Sequence, residues 1–272
     1  MRTETPLQHD FATVVAAIRR EFETLDRYLA AVNPAHWQGP TACREWNVQK
    51  VVSHLGSGAE LHLRTLQTSL DGAEPVTDAT RQSIWNYFDS LPPERLYPEF
   101  QARMRAYLGY LEGLPAEKRE QRVRFFAGEA PVAEYAQYRL SELALHSWDI
   151  RVALDPTARL LPTTARANFP HALDTLQRRS NAAARAELAG TVYQFEVFGP
   201  VQRRFALAIR ADGLEVREEA EAPTATLRLA AEAFLRLYTG RLPLPEAEEA
   251  GEVTLTGERA VALRLNTLFP GF

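Results

Sequence analysis

Near residue 190 the spacing of apolar side chains changes from every third or fourth position to every second, which confines the chain to a two-part α+β architecture. Upstream, Phe11, Val14, Val15, Ile18, Phe22, Leu25 and Leu29 follow helical spacing until Asn33-Pro34 ends the run. Asn47 is placed to cap a second helix whose stripe is Val48, Val51, Val52, Leu55, Ala59, Leu63 and Leu66. A third helix is predicted over 89–114 with a Pro92-Pro93 start, burying Phe100, Met104, Tyr107, Leu108 and Leu111. A fourth is predicted over 128–154, where Asp155-Pro156 stops it. Four long amphipathic helices with polar connections predict an up-and-down bundle, in which ligands projecting inward from facing helices can build a metal site.

Residues 161–189 read as a fifth bundle helix or a linker, so the bundle is placed at 1–185 and a small α/β domain at 190–272. In the latter, Val192, Gln194, Glu196 and Phe198 mark a strand. Residues 204–210 and 214–218, joined at Asp212-Gly213, read as a hairpin, because Asp-Gly favours a tight turn with positive φ. A strand over 224–229 continues the sheet, a short helix over 231–238 ends at Gly240, and a strand at 253–256 and a helix over 258–268 complete it.

The charge balance, 31 basic against 35 acidic residues, gives no reason to expect nucleic acid or an anionic membrane as partner. No apolar run approaches the ~18 residues that span a bilayer. Residues 1–10 lack the basic start and apolar core of a secretory leader, so a cytoplasmic protein is expected. The single Cys43 excludes an internal disulfide and a multi-cysteine zinc site.

Two distant segments carry metal-ligand chemistry. Glu142 and His146 are four apart, so on a helix they stand one turn above each other and can grip a single ion. His54, at the border of the second helix's apolar stripe, is the candidate third donor, and His62, two turns further on, is its rival. Two imidazoles and one carboxylate leave a tetrahedral divalent ion with an open position, the arrangement of a catalytic site. The plainer reading is a solvated Glu142–His146 pair worth about a few tenths of a kcal/mol and a packed core histidine. Asp149 could orient His146 or form a salt bridge or cap. Trp46 and Trp148 read as core. Cys43 has Arg44 beside it but no evident histidine partner, and reads as packing.

These segments resemble the mycothiol-dependent maleylpyruvate isomerase family, a branch of the DinB-like metal-binding four-helix bundles. One hallmark is a Trp followed eight residues later by His at the start of the second helix, here Trp46 and His54, preceded by Thr41 and Cys43. The other is a Glu-x3-His-x2-Asp run, here Glu142, His146 and Asp149. The C-terminal part is similar to the sterol-carrier-like domain that such proteins append, including a Thr-Gly-Arg after its first helix, here Thr239-Gly240-Arg241.

The resemblance implies Zn²⁺ bound by His54, Glu142 and His146; a mixed imidazole and carboxylate site also tolerates another divalent metal such as Ni²⁺, Fe²⁺ or Mn²⁺. The resemblance implies Arg241 as a substrate-facing catalytic residue, although an Arg after a helix end is also favourable to the helix dipole. The cofactor it implies is a low-molecular-weight thiol (mycothiol, bacillithiol or glutathione), whose metal-bound thiolate adds to an activated double bond, permits rotation and is eliminated. Permanent transfer of the thiol to an electrophile, or amide cleavage by metal-bound hydroxide, are the other outcomes of such an assembly. The partners are then a small-molecule electrophile and a thiol, with a homodimer as a possible assembly. Two different readings stand beside the isomerase or S-transferase: a non-catalytic DinB-like metal-binding stress module, and a carrier of an apolar ligand through the C-terminal domain. A structural metal would be expected to have a fourth protein ligand, and apart from His62 the sequence offers none.

Overall fold

Helix α1 (Phe11–Ala31) starts at Asp10, whose carboxylate accepts the backbone N–H of Thr13 at 2.8 Å and so satisfies one of the four donors a helix start leaves open. Helix α2 (Val48–Asp71) starts in the same way at Asn47, whose side-chain oxygen accepts the N–H of Lys50 at 2.8 Å. It ends at Gly72, whose φ of 71° is the left-handed cap geometry. Val48, Val51, Val52, Leu55, Ala59 and Leu66 of its stripe are buried, while Leu63 is half-buried. The computed structural model describes residues 10–125 and 128–271, so the absence of a leader read from residues 1–10 falls almost wholly outside the described chain.

The predicted third helix divides in two. Helix α3 (Asp78–Asp89) is capped by Thr77 and buries only Ile84 and Phe88. Helix α4 (Pro93–Gly113) begins after Pro92, because two successive prolines fit a helix's first turn but not its interior. After the single turn α5 (Ala116–Arg119), strands β1 (Arg122–Phe125) and β2 (Gly128–Pro131) pair antiparallel where sequence reading places the start of a helix. Gly128 adopts φ 120°, incompatible with a helix, so helix α6 (Val132–Leu154) begins only after Pro131. From Tyr135 to Arg151 nearly every residue of α6 is buried, as expected of a helix packed on several sides.

Helix α1 packs on α4 and α6, and α2 packs on the same two. The ring order is therefore α1–α4–α2–α6, with the consecutive helices α1 and α2 on opposite corners. This corrects the up-and-down bundle, in which consecutive helices are neighbours. The connection over 32–47, containing one 3-10 turn (Pro34–Gln38), carries the chain between those corners. Among the described residues no helix is long and apolar enough to cross a membrane.

The chain divides into two compact units, 1–167 and 168–272, with the boundary inside helix α7 (Pro162–Arg179). After α8 (Ala182–Glu187), the second unit forms one sheet in the order β5-β4-β3-β6-β7. Its strands are β3 (Val192–Phe198), β4 (Arg203–Ile209), β5 (Leu214–Arg217), β6 (Ala225–Ala230) and β7 (Val253–Gly257). Only the β3–β6 pair is parallel. The β4–β5 turn closes through Arg210 N–H to Gly213 C=O at 2.8 Å, but neither Asp212 nor Gly213 has positive φ, so it is not the turn that Asp-Gly suggested. Phe195, Phe205 and Phe234 meet with ring centroids 5.0–5.4 Å apart in the core. Phe234 lies on α9 (Ala231–Tyr238).

Helix α9 ends as expected at Gly240, φ 73°: Gly240 N–H donates to Leu237 C=O and Arg241 N–H to Arg236 C=O, the paired bonds of a Schellman cap. The last predicted helix is interrupted after α10 (Leu244–Glu249) and β7, forming α11 (Arg259–Leu263) and α12 (Leu265–Leu268). The fold is a two-domain α+β protein with a helical bundle first.

Candidate metal centre

Two helices and one loop assemble the centre. Helix α2 supplies His54 and α6 supplies Glu142 and His146. The loop before α2 is tied down by Ala42 N–H donating to the Asp149 carbonyl at 3.0 Å and by Thr41 Oγ1 donating to the Trp46 carbonyl at 2.8 Å. These bonds set Trp46 against both imidazoles, with ring centroids 5.0 Å from His54 and 5.5 Å from His146. Trp46 is thus one wall of the centre rather than core alone.

His54 Nε2 lies 3.1 Å from Glu142 Oε2, and His146 Nε2 lies 3.7 Å from the same oxygen. The donor atoms of the three residues are all within 4.8 Å of one another. Around a tetrahedral ion with bonds of about 2.1 Å, neighbouring donors stand roughly 3.4 Å apart. The two observed distances bracket that edge, so the donor set fits a small divalent cation. The His54 side chain is 32% exposed and that of Glu142 39%, while His146 is only 10% exposed, so one side of the centre faces outward.

Asp149 is fully buried and lies 2.9 Å from His146 Nδ1. This contact fixes which nitrogen carries the proton and leaves Nε2 to face the centre. Burial works against a charge on His146, but the bonds to Asp149 and Cys43 and the nearby Glu142 carboxylate outweigh it, raising the imidazole to about 9. Burial is also the main influence on His54, which is held below the ordinary histidine value despite its bond to Glu142. A cation bound through His146 at neutral pH would therefore have to displace a proton from it.

Sequence reading finds no histidine for Cys43, yet the thiol bonds to His146, and Cys43, His146 and Asp149 form a second group of donors within 4.8 Å. The two groups share His146. No local pattern announces this neighbour, since a loop rather than a helix repeat brings Cys43 to α6. The rival ligand His62 stands elsewhere: its ring packs 4.9 Å from Tyr135 and 6.2 Å from Tyr107, and its Nδ1 is buried without a partner. Arg241 lies in the second unit directly after the Schellman glycine, with Nη1 donating to the Thr239 carbonyl at 3.3 Å.

A helical bundle with a His-Glu-His donor set, followed by a small α+β unit, defines the class. Residues 18–151 match the model of the mycothiol maleylpyruvate isomerase N-terminal domain, and residues 171–270 match that of the SCP-2 sterol transfer family. The chain thus joins a domain of the mycothiol maleylpyruvate isomerase N-terminal family to a domain of the SCP-2 sterol transfer family. Among solved structures, the crystal structure of the mycothiol-dependent maleylpyruvate isomerase is similar over 92% of this chain and 94% of its own, at 16% identity and a TM-score of 0.64. A mutant of that enzyme is similar over the same shares at 15% identity and the same TM-score. At such identity the likeness establishes the fold. No curated protein matches the chain.

Proposed function

We propose that the chain is a metal- and thiol-dependent enzyme, a cis–trans isomerase or thiol S-transferase acting on a small electrophile, with His54, Glu142 and His146 as the ligands of a divalent cation such as Zn²⁺ or Ni²⁺. The observation that carries this reading is the convergence of three donors from two helices, one side open, behind a buried carboxylate that orients His146. A metal needing only structure is expected to have four protein ligands, whereas three and an exposed side leave room for a reactant.

Bound there, the cation would supply a Lewis acid that keeps a small thiol ionised at neutral pH. His54 and Glu142 hold one side of the centre. Asp149 holds the proton on His146 Nδ1 and so presents Nε2 as the donor. Trp46 covers the imidazole faces and excludes water from them. Arg241 is proposed, on the family resemblance, to bind a carboxylate of the substrate. The family's low-molecular-weight thiol, mycothiol or bacillithiol, is the proposed cofactor.

The test is elemental mass spectrometry of chain purified without a His-tag or chelator, followed by a screen of cis-unsaturated acids with and without thiol. About one equivalent of a divalent metal and turnover that needs both metal and thiol are expected. A chain that cannot be loaded with metal refutes the reading. An electrophile consumed with its thiol retained in the product identifies a transferase, and unchanged thiol an isomerase.

A further inference from the structure

One turn before Glu142, helix α6 holds a buried guanidinium that has no carboxylate. Arg139 is 1% exposed. Its Nη2 donates to the Leu55 carbonyl at 2.6 Å and lies 3.1 Å from Met104 Sδ, and its Nε is buried with no partner. Among the described residues it forms no ion pair. A cation taken out of water is costly unless paired with an anion, and hydrogen bonds to a carbonyl and a thioether do not repay that cost. Burial draws the group down only to about 10, so it remains charged at neutral pH. The nearest acid along its helix, Glu142, already faces His54 and His146. The buried Tyr107 hydroxyl also lacks a partner.

On α2 the guanidinium also packs against a glycine, Gly58. A Cβ at Gly58 would stand 2.8 Å from Arg139 Nη1. Gly58 is half-buried, as are His54 one turn earlier on α2 and Glu142 on α6, so the guanidinium lies beneath a half-buried seam that also carries two of the candidate metal donors.

We propose that this seam is an anion subsite: Arg139, reached past Gly58, receives a carboxylate of the small molecule whose other end engages the donors. The carboxylate belongs either to the thiol or to the electrophile. The proposal rests on the metal reading for the second end of the ligand only, since an anion site at Arg139 stands with or without a metal.

The experiment is calorimetric titration of zinc-loaded full-length chain with mercaptosuccinate and with 2-mercaptoethanol, and with succinate while 2-mercaptoethanol is saturating. Chelator-treated chain is titrated with succinate in parallel. Mercaptosuccinate binding about tenfold more tightly than 2-mercaptoethanol would place the carboxylate on the thiol. Succinate binding alongside 2-mercaptoethanol would place it on the electrophile. Either affinity is expected to fall about tenfold in both Arg139→Met and Gly58→Ala, with 2-mercaptoethanol binding unchanged. Gly58→Ala keeps the charge and favours the helix, displacing only the guanidinium, so it reports even if Arg139→Met fails to fold. Absence of any carboxylate preference, or a preference that both variants leave intact, overturns the proposal. Failure of the metal reading has a different signature: no metal by elemental analysis, with Arg139-dependent succinate binding retained in the chelated chain.

Discussion

Helix α2 carries two histidines two turns apart, and the bundle treats them in opposite ways. His54 meets Glu142 and His146 of α6 at one exposed side. His62 meets Tyr135 of the same helix and Tyr107 of α4, and burial draws it down to about 3. Both are held neutral by burial, so neutrality alone does not make a ligand. What separates them is the turn of α6 that each one faces: a carboxylate and a second imidazole in one case, a phenol ring in the other. A metal site is a property of the facing pair of helices.

The largest expected effect tests that contrast directly. His54→Ala, Glu142→Ala and His146→Ala should each drop bound metal from about one equivalent to under roughly a tenth, while His62→Ala and Cys43→Ser keep it. Elemental mass spectrometry on folded variants measures this. Loss of metal in His62→Ala with its helical circular dichroism intact would break the comparison, and loss in Cys43→Ser would move the centre to the Cys43–His146–Asp149 group. Asp149→Asn comes next. It keeps the size of the side chain but removes the buried charge that orients His146, and should weaken metal affinity about 10- to 100-fold in chelator competition. An unchanged affinity would mean that packing alone holds the ring.

How much of this could be read from the sequence follows the same division between local and facing features. The Asn47 cap, the Gly240 cap and the five strands lie in short windows, because a cap or an alternation is set by residues a few positions apart. Glu142 and His146 were legible for that reason, being one turn apart on a single helix. The choice between His54 and His62 was not, because both lie on one stripe of α2 and only the resemblance separated them. The ring order, the contact of Cys43 with His146 and the bare charge of Arg139 depend on what another helix presents, which no periodicity encodes. The β1–β2 hairpin escaped for a different reason. Its strands are four residues each: Arg122 to Phe125 alternates for too short a stretch to stand out and Gly128 to Pro131 does not alternate, so the helical pattern downstream reads as running through Gly128.

His62 and His146 also make opposite pH predictions. His62, depressed to about 3 in the fold against about 6.5 unfolded, takes up a proton more readily when unfolded. Its contribution is therefore present above pH 6.5 and is lost as pH falls towards 3, at no more than about 1.4 kcal/mol per pH unit. His146, raised to about 9, contributes fully below pH 6.5 and loses that contribution as pH rises through 9. Urea unfolding of metal-free chain should show His62→Leu losing less stability than wild type between pH 6.5 and 4.5. His146→Leu should flatten the profile between 6.5 and 9 instead. Parallel profiles for wild type and His62→Leu would show that the ring is not held neutral by burial.

The smallest effect concerns the wall of the centre. Trp46 packs on both candidate donor imidazoles, whereas His62 packs on Tyr135 and Tyr107, so replacing Trp46 should act on one layer only. Trp46→Leu keeps an apolar side chain but forfeits the ring contacts, worth about 0.5–1.5 kcal/mol. The loss should appear as faster release of metal to chelator, because the donors become wetter and less well held, with the acid limb of the stability profile unmoved. If instead the variant shifts the acid limb as strongly as His62→Leu does, the two layers of the bundle are coupled, and the separation drawn between the histidines of α2 fails.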